Sequence, residues 1–199
     1  MRIGLVCEDV VHHGFLEGLQ RAWCADAVVH RTHERGIGRG AVIRELPKAC
    51  VELSDWGADV ICVFVDGDED EWHDVLQRLQ GKLPPEMRHL AICGVAVRNV
   101  ECWMFLDTNR ARSELGCLDH ELGIEDPKGL VRVRLGLDEI AIYALRKDTV
   151  AEYVEAMSFE VAVRSNSSRS KSFTRFYDEA RGFALRKNCN DFPNLHDRE

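Results

Sequence analysis

The sequence predicts an α/β fold, with a Rossmann-like, mainly parallel sheet, helices on both of its faces and a helical C-terminal extension. Residues 61–65 are five consecutive apolar residues, mostly β-branched, which is typical of a strand buried on both faces. Residues 2–7 form a second short apolar run, and a helical pattern follows each run. Strands that alternate with helical patterns favour a parallel sheet.

The other elements are predicted in chain order from the same patterns. Strands are expected at residues 27–31 and 89–97, and helices at residues 10–23, 41–56, 69–79 and 99–107. After residue 111 the pattern changes to short amphipathic segments at residues 130–137, 139–145 and 150–157, and to a last helix at residues 173–185. We therefore expect an α/β domain over residues 1–108, with residues 109–199 as a helical extension packed on it.

Acidic residues follow both apolar runs at their C-terminal ends. Glu8 follows the first run, and Asp66 and Asp68 follow the second with Gly67 between them. Side chains two positions apart in an extended segment point the same way, so both aspartates are expected to converge beyond the sheet edge, where open α/β sheets bind ligands. If the two strands pair in parallel, about 4.8 Å apart, Glu8 faces the aspartates across a gap suited to one or two metal ions.

Converging carboxylates repel one another unless a cation lies between them, and oxygen ligands suit Mg²⁺ or Mn²⁺. Removing one charge, as in Asp66→Asn, is then expected to stabilise the metal-free protein. In the alternative interpretation, Asp66 and Asp68 form a polar turn that caps the following helix.

Several further polar residues are placed near these acids by the predicted elements. Asp9 is a plausible cap of the first helix, and His12 lies in that helix's first turn, where it is either a proton shuttle or simply solvated. Arg98 ends a predicted strand and is a candidate to pair with a carboxylate or a scissile phosphate. Glu101 begins the next helix, either as a second-metal ligand or as compensation of the helix dipole.

Composition limits the class of protein. The chain has 199 residues, of which 45% are apolar and 30% are charged, with a net charge of −8, so a folded, water-soluble domain is expected. No apolar run reaches the roughly 20 residues of a membrane helix, and no signal-peptide pattern is present, so we expect a cytoplasmic protein without membrane association. The eight cysteines show no C-x-x-C spacing, which favours reduced structural thiols over disulfides or zinc ligands.

The net negative charge argues against indiscriminate nucleic-acid binding, but the charge is unevenly distributed. Residues 161–187 contain seven basic residues and two acidic ones. Candidate phosphate contacts are therefore Arg169, Lys171 and Arg175 near the start of the last helix, and Arg35 and Arg39 in the glycine-rich segment 32–40. The alternatives are a capped surface helix and an ordinary mobile loop.

An acid after the first strand and D-x-D after a later strand resemble the TOPRIM superfamily, which topoisomerases, primases and OLD-family nucleases share. The order of further motifs resembles more closely the small stand-alone TOPRIM-like proteins of a family of unknown function. These motifs are V-R-x-x-E-x-W-x-x-x-D at residues 97–107, D-P-K at residues 126–128 and S-F-x-x-F at residues 172–176. The chain departs from the TOPRIM pattern at Asp9, since TOPRIM proteins usually have glycine after the first acid.

The resemblance implies a metal-dependent nuclease or phosphoryl-transfer protein acting on DNA or RNA. The implied ligands of one or two Mg²⁺ or Mn²⁺ ions are Glu8, Asp66, Asp68 and Glu101. Arg98 and the C-terminal basic residues would position the strand. Because the chain lacks G-x-x-x-x-G-K-[ST], any ATP use would come from a partner. The resemblance further implies a separate ABC-type ATPase in phage or plasmid defence.

Two other functions fit the same acids. A phosphoacceptor receiver domain also places acids after its first strand and one aspartate after its third, here Asp66. In that case Asp68 and Glu101 would have no role, and the later strand ends lack a convincing threonine and lysine. The second alternative is a catalytically silent TOPRIM module that binds a partner protein.

Overall fold

The computed structural model describes residues 1–32, 38–158, 167–187 and 189. One four-stranded sheet lies at its centre, and all its strands are parallel, in the order β2-β1-β3-β4. The strands are β1 (Arg2–Cys7), β2 (Val28–Arg31), β3 (Val60–Asp66) and β4 (Ala91–Ala96). The predicted α/β class with a parallel sheet is confirmed.

The helices of the described residues agree with the predicted pattern in the first half of the chain and differ in the second. They are α1 (Val10–Trp23), α2 (Arg39–Asp55), α3 (Trp72–Lys82), α4 (Val100–Met104), α5 (Thr108–Glu114), α6 (Lys128–Arg134), α7 (Tyr143–Glu155) and α8 (Ser168–Arg186). The predicted segments 139–145 and 150–157 are largely one helix, α7, because Arg146 and Lys147 between them are good helix formers. Among the residues that the structure describes, no helix is long and apolar enough to cross a membrane.

The sheet separates two hydrophobic cores. All seven residues of β3 are buried, as predicted for a central parallel strand. Cys62 and Phe64 face a core built with α1, α4, α7 and α8, whereas Val63 and Val65 face a second core built with α2 and α3. Helices from both halves of the sequence therefore cover the first face of the sheet.

Helix α7 packs closely against α1 because two glycines of α1 leave room for it. A Cβ atom added to Gly14 would lie 2.6 Å from the carbonyl oxygen of Lys147, and one added to Gly18 would lie 2.6 Å from that of Ala151. Backbone atoms cannot move aside as the end of a flexible side chain can. The two helices are therefore held at a distance that only glycine permits.

We expect Gly14→Ala to lower the free energy of unfolding by roughly 1–3 kcal/mol, because overpacking outweighs the better helix propensity of alanine. Gly81→Ala in α3 is the matched control, since nothing lies within 4 Å of its added Cβ. The control should be neutral or stabilising by roughly 0.5 kcal/mol. Urea unfolding of both variants measures the difference. Equal stabilisation by the two substitutions would contradict the close packing of α1 and α7.

Cysteine pairing differs from the expectation. Cys24 and Cys189 form a disulfide with their Cα atoms 5.9 Å apart, so the predicted thiol state is wrong for this pair. The chain after α8 returns to the end of α1, and a proximity across 165 residues leaves no trace in cysteine spacing. The other six cysteines are free and buried.

Candidate active site

The parallel pairing of β1 with β3 brings the first acids together. Cys7 is in register with Phe64, so Glu8 comes directly beside the end of β3. An Oε1 atom of Glu8 accepts a hydrogen bond of 2.7 Å from the backbone N–H of Asp66. Burial raises the pKa of Glu8, and the charges of Asp66 and Asp68 raise it further, whereas His12 lowers it. The charges of both predicted aspartates therefore act on the Glu8 carboxylate.

Asp66 is the buried centre of the cluster, with 4% of its surface exposed. Its Oδ1 atom accepts a 2.8 Å hydrogen bond from the backbone N–H of Val100 at the start of α4. The Nε2 atom of His12 lies 3.0 Å from the same oxygen, and the Nζ atom of Lys128 lies 3.7 Å from Oδ2. One carboxylate thus connects β3, α1, α4 and α6.

His12 lies between two carboxylates in the interior. Its Nδ1 atom is 2.8 Å from Asp9 Oδ1, opposite the contact of Nε2 with Asp66. Burial lowers the pKa of His12, but Asp66 and Asp9 outweigh burial and raise this pKa well above its usual value. The ring is then a cation that donates from both nitrogens. Asp9 also accepts from the N–H groups of Val11 and His12, so its predicted capping role is confirmed.

Glu101 is the least satisfied member of the cluster. It is 1% exposed, and neither of its carboxylate oxygens has a hydrogen-bond partner. Burial and the charge of Asp66 raise its pKa from 4.5 to about 7, although a weak contact with its own backbone N–H, too poorly aligned to count as a hydrogen bond, and the charges of Lys128 and His12 oppose this. Buried carboxylates are normally paired, so an orphaned one beside a second carboxylate is typical of a functional site.

Lys128 supplies a second cation to the acids. Burial lowers the pKa of this lysine, but Asp66, Glu101 and Asp9 raise it more, so the ammonium form is favoured. Its position is set by Asp126, whose Oδ1 accepts from the Nδ2 of Asn99 at 2.7 Å and from the Lys128 N–H at 3.1 Å. The D-P-K motif therefore connects the start of α6 to the start of α4.

The backbone around Asp68 differs from the extended conformation predicted for it. The strand ends at Asp66, and Asp68 has a φ of 51°, opposite Arg98 with a φ of 61°. The N–H of Asp68 donates to the Arg98 carbonyl at 2.8 Å, and this bridge fixes both residues in the left-handed region. The Asp68 carboxylate is consequently exposed, whereas that of Asp66 is buried. Paired left-handed residues cost about 1–3 kcal/mol each and persist chiefly at functional sites.

Arg39 holds this loop from the side of α2. Its guanidinium donates to the carbonyl oxygens of Gly67 at 2.6 Å and Asp66 at 3.3 Å, and to Asp70 at 2.9 Å. It also lies 3.6 Å from the Asp68 carboxylate. The side chain predicted to bind phosphate therefore supports the acidic loop in this structure.

The other predicted basic contacts are dispersed. Arg98 pairs with the exposed carboxylates of Glu69 and Glu125, each at 3.0 Å. Arg169 donates to the carbonyl of Ile124 at 2.8 Å and to that of Glu125. Lys171 is exposed, and Arg175 donates to the Cys93 carbonyl of β4 at 3.1 Å and pairs with Glu179. Arg35 lies outside the described residues.

Searches against protein-family models, curated proteins and solved structures found no match.

Glu8, Asp66 and Glu101 offer carboxylate oxygens, which are the ligand type that hard divalent cations prefer, and both oxygens of Glu101 lack a side-chain donor. Within residues 1–32, 38–158 and 167–187, no group of three or more His, Cys, Asp or Glu side chains is arranged so that it could hold a metal ion. Asp68 lies on the exposed side, beside Arg39. Sequence reasoning named these four acids, but it assigned no role to Lys128 and left His12 undecided.

Proposed function

We propose that this protein is a metal-dependent nuclease or phosphoryl-transfer enzyme that acts on nucleic acid. The observation that carries the proposal is the Glu101 carboxylate, which is buried without a hydrogen-bond partner beside Asp66. Such an arrangement costs stability, because burial and like charge both oppose ionisation. A divalent cation bound between the two carboxylates would offset that cost.

Glu8, Asp66 and Glu101 would hold Mg²⁺ or Mn²⁺, with Asp68 completing the set from the exposed side. When bound, such an ion would act as a Lewis acid toward a phosphoryl oxygen and lower the pKa of a water. His12 fixes the orientation of the Asp66 carboxylate through the 3.0 Å contact. The Nζ atom of Lys128 lies 3.7 Å from Asp66 Oδ2 and is placed to bind an oxygen of a phosphate group that enters the site.

The receiver-like alternative is less well supported. A phosphoacceptor needs an accessible carboxylate oxygen, whereas Asp66 is 4% exposed and its Oδ1 atom already contacts Val100 and His12. Lys128 beside Asp66 suits either function, but only the nuclease proposal uses Glu101. The TOPRIM relationship, the ABC-type ATPase partner, the role in defence and the cytoplasmic location remain predictions.

A nuclease panel tests the proposal. We expect the protein to cleave at least one of single- or double-stranded DNA or RNA with Mn²⁺ and none with EDTA. Glu8→Gln and Asp68→Asn should each lower the rate by about a hundredfold, because each removes a charged oxygen ligand. Asp74→Asn is the control, since Asp74 is an exposed acid on the neighbouring helix α3.

Three results would contradict this proposal. Cleavage that persists in EDTA would exclude the metal, and full activity of both Glu8→Gln and Asp68→Asn would exclude the site. Absence of Mn²⁺-dependent cleavage on the entire panel would favour the silent binding module.

A further inference from the structure

A cleft of about 490 Å³ lies beside the candidate active site, at the carboxyl end of β4. Its apolar walls include Val97 at the strand end, Phe105 and Leu106 after α4, and Leu122 from the segment before α6. Arg98 and Arg169 contribute guanidinium groups to the same cleft. Its volume falls within the range of about 300–1,000 Å³ that is usual for small-ligand sites.

The cleft and the acids share one short helix. Glu101 of α4 faces Asp66, and the next residue, Cys102, lines the cleft. Arg98 also lines the cleft, and its carbonyl oxygen accepts a hydrogen bond from the N–H of Asp68. The cleft therefore borders the segments that carry Asp68 and Glu101.

The cleft combines an apolar interior with cationic groups. Its two arginines outnumber its one acid, Glu125, which pairs with Arg98 at 3.0 Å. A nucleotide has the matching chemistry, since its base has apolar faces and its phosphate accepts bidentate hydrogen bonds from guanidinium groups. A base can enter a cleft of this kind only when it is not paired within a duplex.

We propose that this cleft binds one nucleotide of a single-stranded nucleic acid, with the base against the apolar walls and a phosphate between Arg98 and Arg169. This inference depends on the proposed function, because it identifies the substrate of the same site as single-stranded. Glu125 competes with the phosphate for Arg98, so the nucleotide must displace its carboxylate. The competition gives the proposal a substitution that should strengthen binding.

Binding is measured by calorimetry in EDTA with adenosine monophosphate, a short single-stranded oligonucleotide and the corresponding duplex. Arg169→Ala should weaken binding of the oligonucleotide about tenfold, because it removes a charged phosphate contact. Leu122→Trp should abolish binding by filling the cleft. Glu125→Gln should strengthen binding several-fold, and a misfolded protein could not produce this gain. Lys48→Ala is the control, because Lys48 is an exposed lysine of α2 that does not line the cleft.

Each outcome supports or overturns the inference. Equal weakening by Lys48→Ala and Arg169→Ala, unchanged binding in Leu122→Trp, or no gain in Glu125→Gln would overturn the cleft as the binding site. Duplex binding as tight as that of the single strand would overturn the substrate class. If adenosine monophosphate bound as tightly as the oligonucleotide, the ligand of the cleft would be a free nucleotide and not a nucleic-acid strand. Binding without any Mn²⁺-dependent cleavage would contradict only the proposed enzymatic activity.

Discussion

Glu101→Gln is expected to lower Mn²⁺-dependent cleavage by about a thousandfold and yet to make the metal-free protein more stable at pH 8. The loss of rate follows from removing the charge of the most buried proposed ligand. The gain in stability follows from removing a carboxylate whose two oxygens are orphaned beside Asp66. An exposed ligand would show only the first effect.

The sign of the pH dependence follows from the raised pKa of Glu101. Between pH 4.5 and about 7 the folded protein keeps a proton on this carboxyl that the unfolded chain has released, so the free energy of unfolding falls as the pH rises. The difference between a pKa of 4.5 and one of about 7 corresponds to a loss of about 3 kcal/mol in the free energy of unfolding. This loss is complete above pH 7. Glu101→Gln should remove this dependence.

Urea unfolding in EDTA across pH 4.5 to 8 measures this difference directly. With saturating Mg²⁺ the order of the two proteins should reverse, since ligand binding stabilises only the protein that binds it. Lower stability of Glu101→Gln at pH 8 in EDTA would show that the carboxylate is satisfied in solution. Asp66→Asn, for which the sequence alone predicts stabilisation, is no longer expected to stabilise, because Asp66 accepts from Val100 and contacts His12.

His12→Ala is expected to lower the free energy of unfolding by about 3–5 kcal/mol, because it removes the closer of the two cations beside the buried carboxylate of Asp66 and leaves only Lys128 at 3.7 Å. The raised pKa of His12 means that its contribution is complete below pH 6.5 and is lost only as the pH rises through the folded-state value. Denaturant unfolding at pH 6 therefore measures the full effect.

His120→Ala is the control for this substitution, since His120 is an exposed histidine and should change stability by no more than about 0.5 kcal/mol. If both variants lose equally little, the ion pairs of His12 with Asp9 and Asp66 do not contribute to stability, and the histidine is neutral in the folded protein.

Local patterns in the sequence were sufficient for the sheet and for part of the site. A run of apolar residues followed by an acid identifies a buried strand and its polar end, so Glu8 and Asp66 could be placed at one edge of the sheet. Glu101 followed from its position in a first helical turn. The placement of these residues needs only strand and helix periodicity, whereas the ligand role of Glu101 also depends on the resemblance to TOPRIM-like proteins.

The remaining features depend on contacts that periodicity does not encode. Asp68 leaves the extended conformation because its N–H bonds to Arg98, a residue of another strand end. Lys128 reaches Asp66 only because Asn99 holds Asp126. Cys24 finds Cys189 across most of the chain. Each of these pairs is distant in sequence, so a single sequence gives no signal for it.

The close contact of α7 with α1 has an evolutionary consequence. Helix α1 carries Asp9 and His12 at its start, and α7 lies against its glycines, while Lys128 enters the site from the same late part of the chain. A recombination event that transferred only the part of the gene for residues 1–108 would deliver the acids without the lysine and without the helix that supports the histidine. Descendants that keep this chemistry should therefore have inherited both halves together.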